Sequence, residues 1–90
     1  MQEEQVNRVV ESLRAQGVFA HVHRVGVYKV GVRVVIPDGR EAIWDTDGAA
    51  GLEATIMRDG VLVGFVPTIP GSEDFDEVQA VAAIKDATYD

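Results

Sequence analysis

The chain has 90 residues, a formal net charge of −7 and no cysteine. This length predicts a single domain over residues 1–90, and the missing thiols exclude disulfides, zinc–thiolate sites, iron–sulfur clusters and a cysteine nucleophile. No apolar run approaches the roughly 18 residues of a membrane span, and the polar, acidic start is unlike a signal peptide. The expected location is therefore the cytoplasm, without membrane contact.

The charge is divided unevenly between the two halves of the chain. Residues 1–40 carry six basic and four acidic side chains, a formal +2, whereas residues 41–90 carry two basic and eleven acidic ones, a formal −9. No basic patch of the kind that binds nucleic acid is present in the sequence. A partner attracted by charge would be a basic protein, although net charge also keeps a small domain dispersed without any partner.

The first predicted element is a helix over residues 3–16. Its apolar residues recur at helical spacing and form one stripe, and early glutamates suit the positive end of the helix dipole. Gly17 follows as a predicted C-terminal cap because glycine readily adopts positive φ. The predicted buried stripe consists of Val6, Val9, Val10 and Leu13.

The pattern then changes to the two-residue repeat of β-strands. Val30–Ile36 alternates in this way, and Phe19–Arg24 is predicted to pair with it through a turn near Gly26. Further strands are predicted at about residues 41–46, 53–58 and 61–66, with a loop at 47–51. Asp59-Gly60 is the clearest hairpin turn because both residues tolerate positive φ.

A second helix is predicted to close the chain. Pro67 and Pro70 end the sheet region because proline cannot donate to a strand ladder. Asp74 with Glu77 three residues later resembles a capping box, with Ser72 as a rival cap. The helix is expected to run to about residue 87, with apolar contacts from Phe75, Val78, Val81 and Ala82.

These elements predict the α+β class: a two-layer sandwich with an N-terminal helix, a four- to five-stranded antiparallel meander and a C-terminal helix. If both helices cover one face, the alternation places Val35, Ile43 and Met57 on the other face among charged residues. Such a half-apolar face is a candidate homodimer or partner surface, while scattered surface hydrophobes are also common on monomers. Trp44, the single tryptophan, is expected in the core, with an interface anchor as the alternative.

His21 and His23 are the candidate metal ligands, because side chains two residues apart on a strand point to the same face. A metal site needs at least a third ligand, which only the fold could bring. Histidines without a metal are the favoured interpretation, so no metal and no cofactor is predicted. A small-ligand or metal-binding protein stays as an alternative function.

The densest charge cluster comprises Glu73, Asp74, Asp76 and Glu77. Carboxylates at a helix N-terminus are explained by capping and the helix dipole, but this cluster is also the candidate docking site for a basic partner. No catalytic constellation is present in the sequence, and the chain is predicted not to be an enzyme. The leading hypothesis is a protein-interaction module of the inhibitor, antidote or accessory-factor type, with a homo-oligomeric structural domain as the alternative.

Overall fold

The computed structural model describes residues 3–24, 30–46 and 51–89. In chain order its elements are α1 (Glu3–Ala15), β1 (Ala20–Arg24), β2 (Val30–Val35), β3 (Glu41–Thr46), β4 (Leu52–Arg58), β5 (Val61–Val66), a short 3-10 helix (Ser72–Asp74) and α2 (Glu77–Asp86). The five strands form one antiparallel sheet in the order β1-β2-β3-β4-β5. This confirms the α+β class and the antiparallel meander. The predicted turn near Gly26 and most of the predicted 47–51 loop lie outside the described residues.

The turn between β4 and β5 is the predicted two-residue hairpin. Asp59 has φ 52° and Gly60 has φ 80°, and positive φ at both central residues is the signature of a type I′ turn, whose twist matches that of the flanking strands. Arg58 and Val61 are therefore directly opposite each other. The turn sets the register at this end of the β4–β5 pair.

α1 buries the predicted apolar stripe against the sheet. Val6, Val9, Val10 and Leu13 are all buried, and the helix packs on β1, β2 and α2. At its N-terminus Glu3 pairs with Arg24 of β1. The helix thus covers the first half of the sheet on one face only.

Trp44 lies at the centre of the core. Its side chain is fully buried, and its indole Nε1 donates a hydrogen bond of 3.1 Å to Oη of Tyr89. The two rings pack edge to face with centroids 6.4 Å apart. Burial raises the pKa of the Tyr89 hydroxyl, and the hydrogen bond from Trp44 opposes that shift. The prediction that Trp44 belongs to the core is confirmed.

α2 differs from the prediction in both its cap and its buried side. The cap is Asp76, whose side chain accepts a hydrogen bond of 2.8 Å from the Gln79 amide, while Gln79 Oε1 accepts one of 3.0 Å from the Asp76 amide. Asp74 instead lies in the 3-10 helix. The buried side chains are Ala80, Val81 and Ile84, whereas Val78 is 77% exposed and Ala82 is also exposed. The predicted capping residue and half of the predicted contact face were therefore wrong.

Ser72 is the one buried polar residue recorded within the described ranges, and it joins the segment after β5 to the start of β4. Its Oγ accepts a hydrogen bond of 2.7 Å from the Leu52 amide and donates one of 2.5 Å to the Ile69 carbonyl. A buried amide left without a partner costs more than an average hydrogen bond contributes. The hydroxyl therefore holds the 69–72 segment against the sheet.

We expect Ser72→Ala to lower the free energy of unfolding by about 1–3 kcal/mol, because the Leu52 amide loses its acceptor. Urea unfolding followed by circular dichroism measures the effect. Ser12→Ala on α1 is the matched control, since the Ser12 hydroxyl accepts only a 3.3 Å bond from Gln16 near the surface. Equal stabilities for the two variants would show that the Ser72 hydroxyl does not hold this segment.

No helix within the described ranges is long and apolar enough to span a membrane. The Cα radius of gyration is 11.9 Å, close to the roughly 12 Å expected for a compact chain of this length.

Candidate interaction surface

One face of the sheet is left uncovered by the helices, and we call it the open face. The core side chains of the strands, such as Val32, Trp44 and Ile56, point toward the helices, so the alternate residues point to the open face. Cross-strand pairing arranges these residues in rows. One row is His21, Arg33, Ile43, Thr55 and Phe65, and another is Val35, Glu41, Met57 and Leu62.

The three apolar residues predicted on this face, Val35, Ile43 and Met57, all lie on it and are half-buried. Their role in self-association stays a prediction. The structure adds Leu62 and Phe65, which are 49% and 68% exposed. The apolar surface is therefore larger than the sequence indicated and extends to the β5 edge.

Phe19 extends this surface at the opposite edge of the sheet. Its carbonyl accepts a 2.8 Å hydrogen bond from the Val35 amide, which continues the β1–β2 register by one residue, and its side chain is 67% exposed. The sequence predicts a strand at Phe19 but does not assign its side chain to either face of the sheet. The alternation from Ala20, which is buried, was the signal that identifies it as outward-facing.

A groove of about 530 Å³ runs across the middle of the open face. Ile43 and Met57 form apolar parts of its lining, and Glu41, Asp45 and Glu53 contribute carboxylates. Asp45 and Glu53 are direct cross-strand neighbours, an arrangement in which two like charges oppose each other. Glu53 Oε2 also accepts a 2.9 Å hydrogen bond from Thr68 Oγ1. The carboxylates of this groove would attract a positively charged group.

Arg33 is the positive charge at the centre of the same face. It lies between His21 and Ile43 in the cross-strand row. Its Nε is buried and has no hydrogen-bond partner among the described residues. A buried donor without an acceptor is unfavourable, so an acceptor brought by a partner protein would be stabilising here.

The two candidate metal ligands share one face of β1 as predicted. His21 is exposed and lies opposite Arg33, and His23 is half-buried and lies opposite Gly31. A guanidinium opposite His21 disfavours a second cation at that position. No group of three potential metal-ligating side chains occurs among the described residues.

The acidic cluster predicted as a docking site divides into two pairs. Asp76 caps α2 and Glu77 accepts a 2.6 Å hydrogen bond from Arg8 of α1, so these two carboxylates stabilise the fold. Glu73 and Asp74 are exposed on the 3-10 helix. Whether any of the four contacts a partner stays a prediction.

The exposed pair lies near the carboxylates of the open face. A Cβ placed on Gly51, at the start of β4, would lie 3.2 Å from the Glu73 amide nitrogen, so the 3-10 helix packs beside this end of the sheet. We call the resulting group of carboxylates the acidic end of the molecule; it comprises Asp45, Glu53, Glu73 and Asp74.

Comparisons of the chain with protein-family models, with curated proteins and with solved structures found no match. Its function is therefore inferred from the chemistry of this surface.

Proposed function

We propose that the chain is a non-enzymatic protein-interaction module, of the inhibitor, antidote or accessory-factor type, that docks a basic protein on its open face. The observation that carries the proposal is the coexistence of an apolar surface and a set of carboxylates on the face that the helices leave uncovered. Apolar and aromatic contacts at the centre of an interface supply most of the binding energy. Complementary charges accelerate association and select the partner.

The two contributions occupy neighbouring parts of the surface. Ile43, Met57 and Phe65 offer the apolar contacts, and the acidic end offers the charge. A partner that matches both would place an apolar side chain in the groove and basic residues beside Glu53. Since the acidic half of the chain repels phosphate, the proposal names a protein rather than a nucleic acid, and it places the chain in the cytoplasm.

The proposal assigns no catalytic step to the chain. The groove lies on the surface of a two-layer fold, and catalytic sites depend on enclosing the substrate and excluding water. A groove of this kind suits recognition of a side chain or a peptide segment.

The test is a pull-down from native-host lysate at low and moderate salt, followed by purification of the retained protein and measurement of its affinity. Glu41→Lys/Glu53→Lys should weaken binding by about 10-fold or more, because both reversals lie in the groove. Glu4→Lys/Glu11→Lys on the exposed side of α1 is the matched control, since it changes the net charge equally. Replacement of Phe65 by serine tests the apolar part of the surface.

Equal loss of binding in both double variants would mean that only net charge matters and would contradict docking on the open face. Glu73→Lys/Asp74→Lys measures the contribution of the 3-10 helix separately. A retained protein whose affinity none of these variants changes would overturn the proposal.

A homo-oligomeric domain is the second candidate function, and a different observation favours it. The last strand of the sheet is uncharged, and four of its six residues are exposed.

A further inference from the structure

β5 is an unusual edge strand because its residues Val61–Val66 include no charged or polar side chain. Proteins commonly protect such edges with lysine or proline. Four of the six large exposed apolar side chains recorded for the described residues belong to β5; they are Val61 (62% exposed), Leu62 (49%), Val63 (52%) and Phe65 (68%). The helices therefore leave most of this strand uncovered, and its apolar side chains favour contact with another apolar surface.

The hydrogen bonds of the sheet show which backbone groups of β5 are free. In antiparallel pairs, residues that bond to one neighbouring strand alternate with residues that bond to the other. The 2.8 Å hydrogen bond from the Ile36 amide to the Arg40 carbonyl shows that the even-numbered residues form the hydrogen-bonded pairs between β2 and β3. By the registers of the β2–β3, β3–β4 and β4–β5 pairs, the backbone groups of the even-numbered residues of β4 then point toward β5.

Consequently Val61, Gly64 and Val66 bond toward β4, and the backbone groups of Leu62 and Phe65 point away from the sheet. No hydrogen bond from a described residue outside the sheet reaches β5. The side chains of Leu62 and Phe65 lie on the open face. The same two residues therefore offer a partner both free backbone hydrogen-bonding groups and exposed apolar side chains.

The interval between these residues is irregular. Ile56 lies opposite Gly64 while Met57 lies opposite Leu62, so Val63 is the extra residue of a β-bulge. The outward backbone groups are therefore three residues apart, whereas a regular strand presents such groups at every second residue. The bulge fits these three residues of β5 into the length of two residues of β4, since Phe65 and Leu62 lie opposite Thr55 and Met57.

A second copy of β5, running antiparallel, presents the same three-residue interval. We propose that the chain forms a homodimer through β5, in which Leu62 pairs with Phe65 of the second copy and Phe65 with Leu62 of the second copy. Such an interface is self-complementary about a two-fold axis. It joins the two sheets into one ten-stranded sheet and places the two open faces side by side.

Charge is compatible with this arrangement although each copy carries −7. The seam itself is uncharged, and at the hairpin end Arg58 and Asp59 cancel formally. Antiparallel pairing brings this hairpin, which has no net charge, next to the acidic end of the other copy and keeps the two acidic ends apart. A dimer formed through the two acidic ends would instead bring their carboxylates together.

The seam is only one strand long, so it buries less surface than a standard interface, which buries about 800 Å² per partner. We therefore expect a reversible dimer with a dissociation constant on the order of micromolar. Sedimentation equilibrium of the purified chain from about 1 to about 500 µM covers this range. Because no other protein is present, the result is independent of whether a basic partner exists.

Two double variants test the pairing. Leu62→Lys/Phe65→Lys places lysine opposite lysine across the seam and should give a monomer over the whole range; Leu62→Glu/Phe65→Glu should do the same. Mixing the two variants places each lysine opposite a glutamate and should restore a one-to-one heterodimer. Val78→Lys is the matched control, since Val78 is 77% exposed but lies on α2, and it should dimerise like the unaltered chain.

Circular dichroism establishes that each variant folds. A chain that is monomeric at the highest concentration would overturn the proposal. So would a dimer that survives both double variants, or a mixture that fails to associate. A dimer lost on Ile43→Lys but kept in the β5 variants would assign self-association to the open face instead.

Discussion

Trp44→Ala is expected to lower the free energy of unfolding by about 3–5 kcal/mol. Trp44 is fully buried and lies in the middle strand of the sheet, so the truncation leaves a large cavity between the sheet and the helices. The loss is comparable with the whole stability of a small domain, typically about 5–15 kcal/mol. Urea unfolding followed by far-ultraviolet circular dichroism measures it, since the variant has no tryptophan fluorescence.

Trp44→Phe separates cavity formation from the hydrogen bond. It keeps an aromatic ring in the core but removes the donor that reaches Tyr89 Oη, so we expect a clearly smaller loss than for alanine. If both replacements cost the same, the contact with Tyr89, rather than the filled volume, would be the main contribution of this residue.

Gly31→Ala is the second change with a large expected effect. A Cβ at this position would lie 2.4 Å from the backbone carbonyl oxygen of Trp44 on the neighbouring strand. Real Cβ atoms do not approach this closely, and a backbone atom inside a sheet cannot move without disturbing the ladder. We expect a loss of about 2–3 kcal/mol in the free energy of unfolding, near the upper end of overpacking effects.

Gly64→Ala is its matched control, because Gly64 also lies in a strand but its added Cβ would make only ordinary contacts of 3.8 Å and 3.9 Å with Ile56. Alanine is the better strand residue where space allows, so this variant should be neutral or slightly stabilising. A similar loss in the two variants would show that the β2–β3 approach at Gly31 is looser than the structure indicates.

The sequence correctly predicted the elements that depend on the types and spacing of a few neighbouring residues. The helical spacing of Val6, Val9, Val10 and Leu13 identified α1 and its buried face. Asp59-Gly60 identified the β4–β5 hairpin, because the required positive φ values restrict the residue types at a two-residue turn. The strand alternation likewise placed Val35, Ile43 and Met57 on one face.

For α2, the spacing of neighbouring residues was not enough to identify the capping residue or the buried side of the helix. Asp74 and Asp76 are both followed three residues later by a residue that can complete a capping box, Glu77 and Gln79 respectively. The choice between them depends on Ser72, whose buried hydrogen bonds to Leu52 and Ile69 hold residues 72–74 in a 3-10 turn. The helix therefore begins later, and its buried side includes Ile84 rather than Val78.

For the candidate interaction surface, the sequence by itself determined the sheet, its turns and the uneven charge, since these follow from residue type and spacing. Only the tertiary structure decided what β5 presents. Regular pairing from the Asp59-Gly60 turn would place Phe65 opposite Ala54, on the covered face, and Gly64 on the open face. The bulge at Val63 reverses both, so that Val66 lies opposite Ala54 and packs against the core while Phe65 faces outward. A run of six apolar residues carries no alternation from which that shift can be read, because the register depends on contacts with another strand.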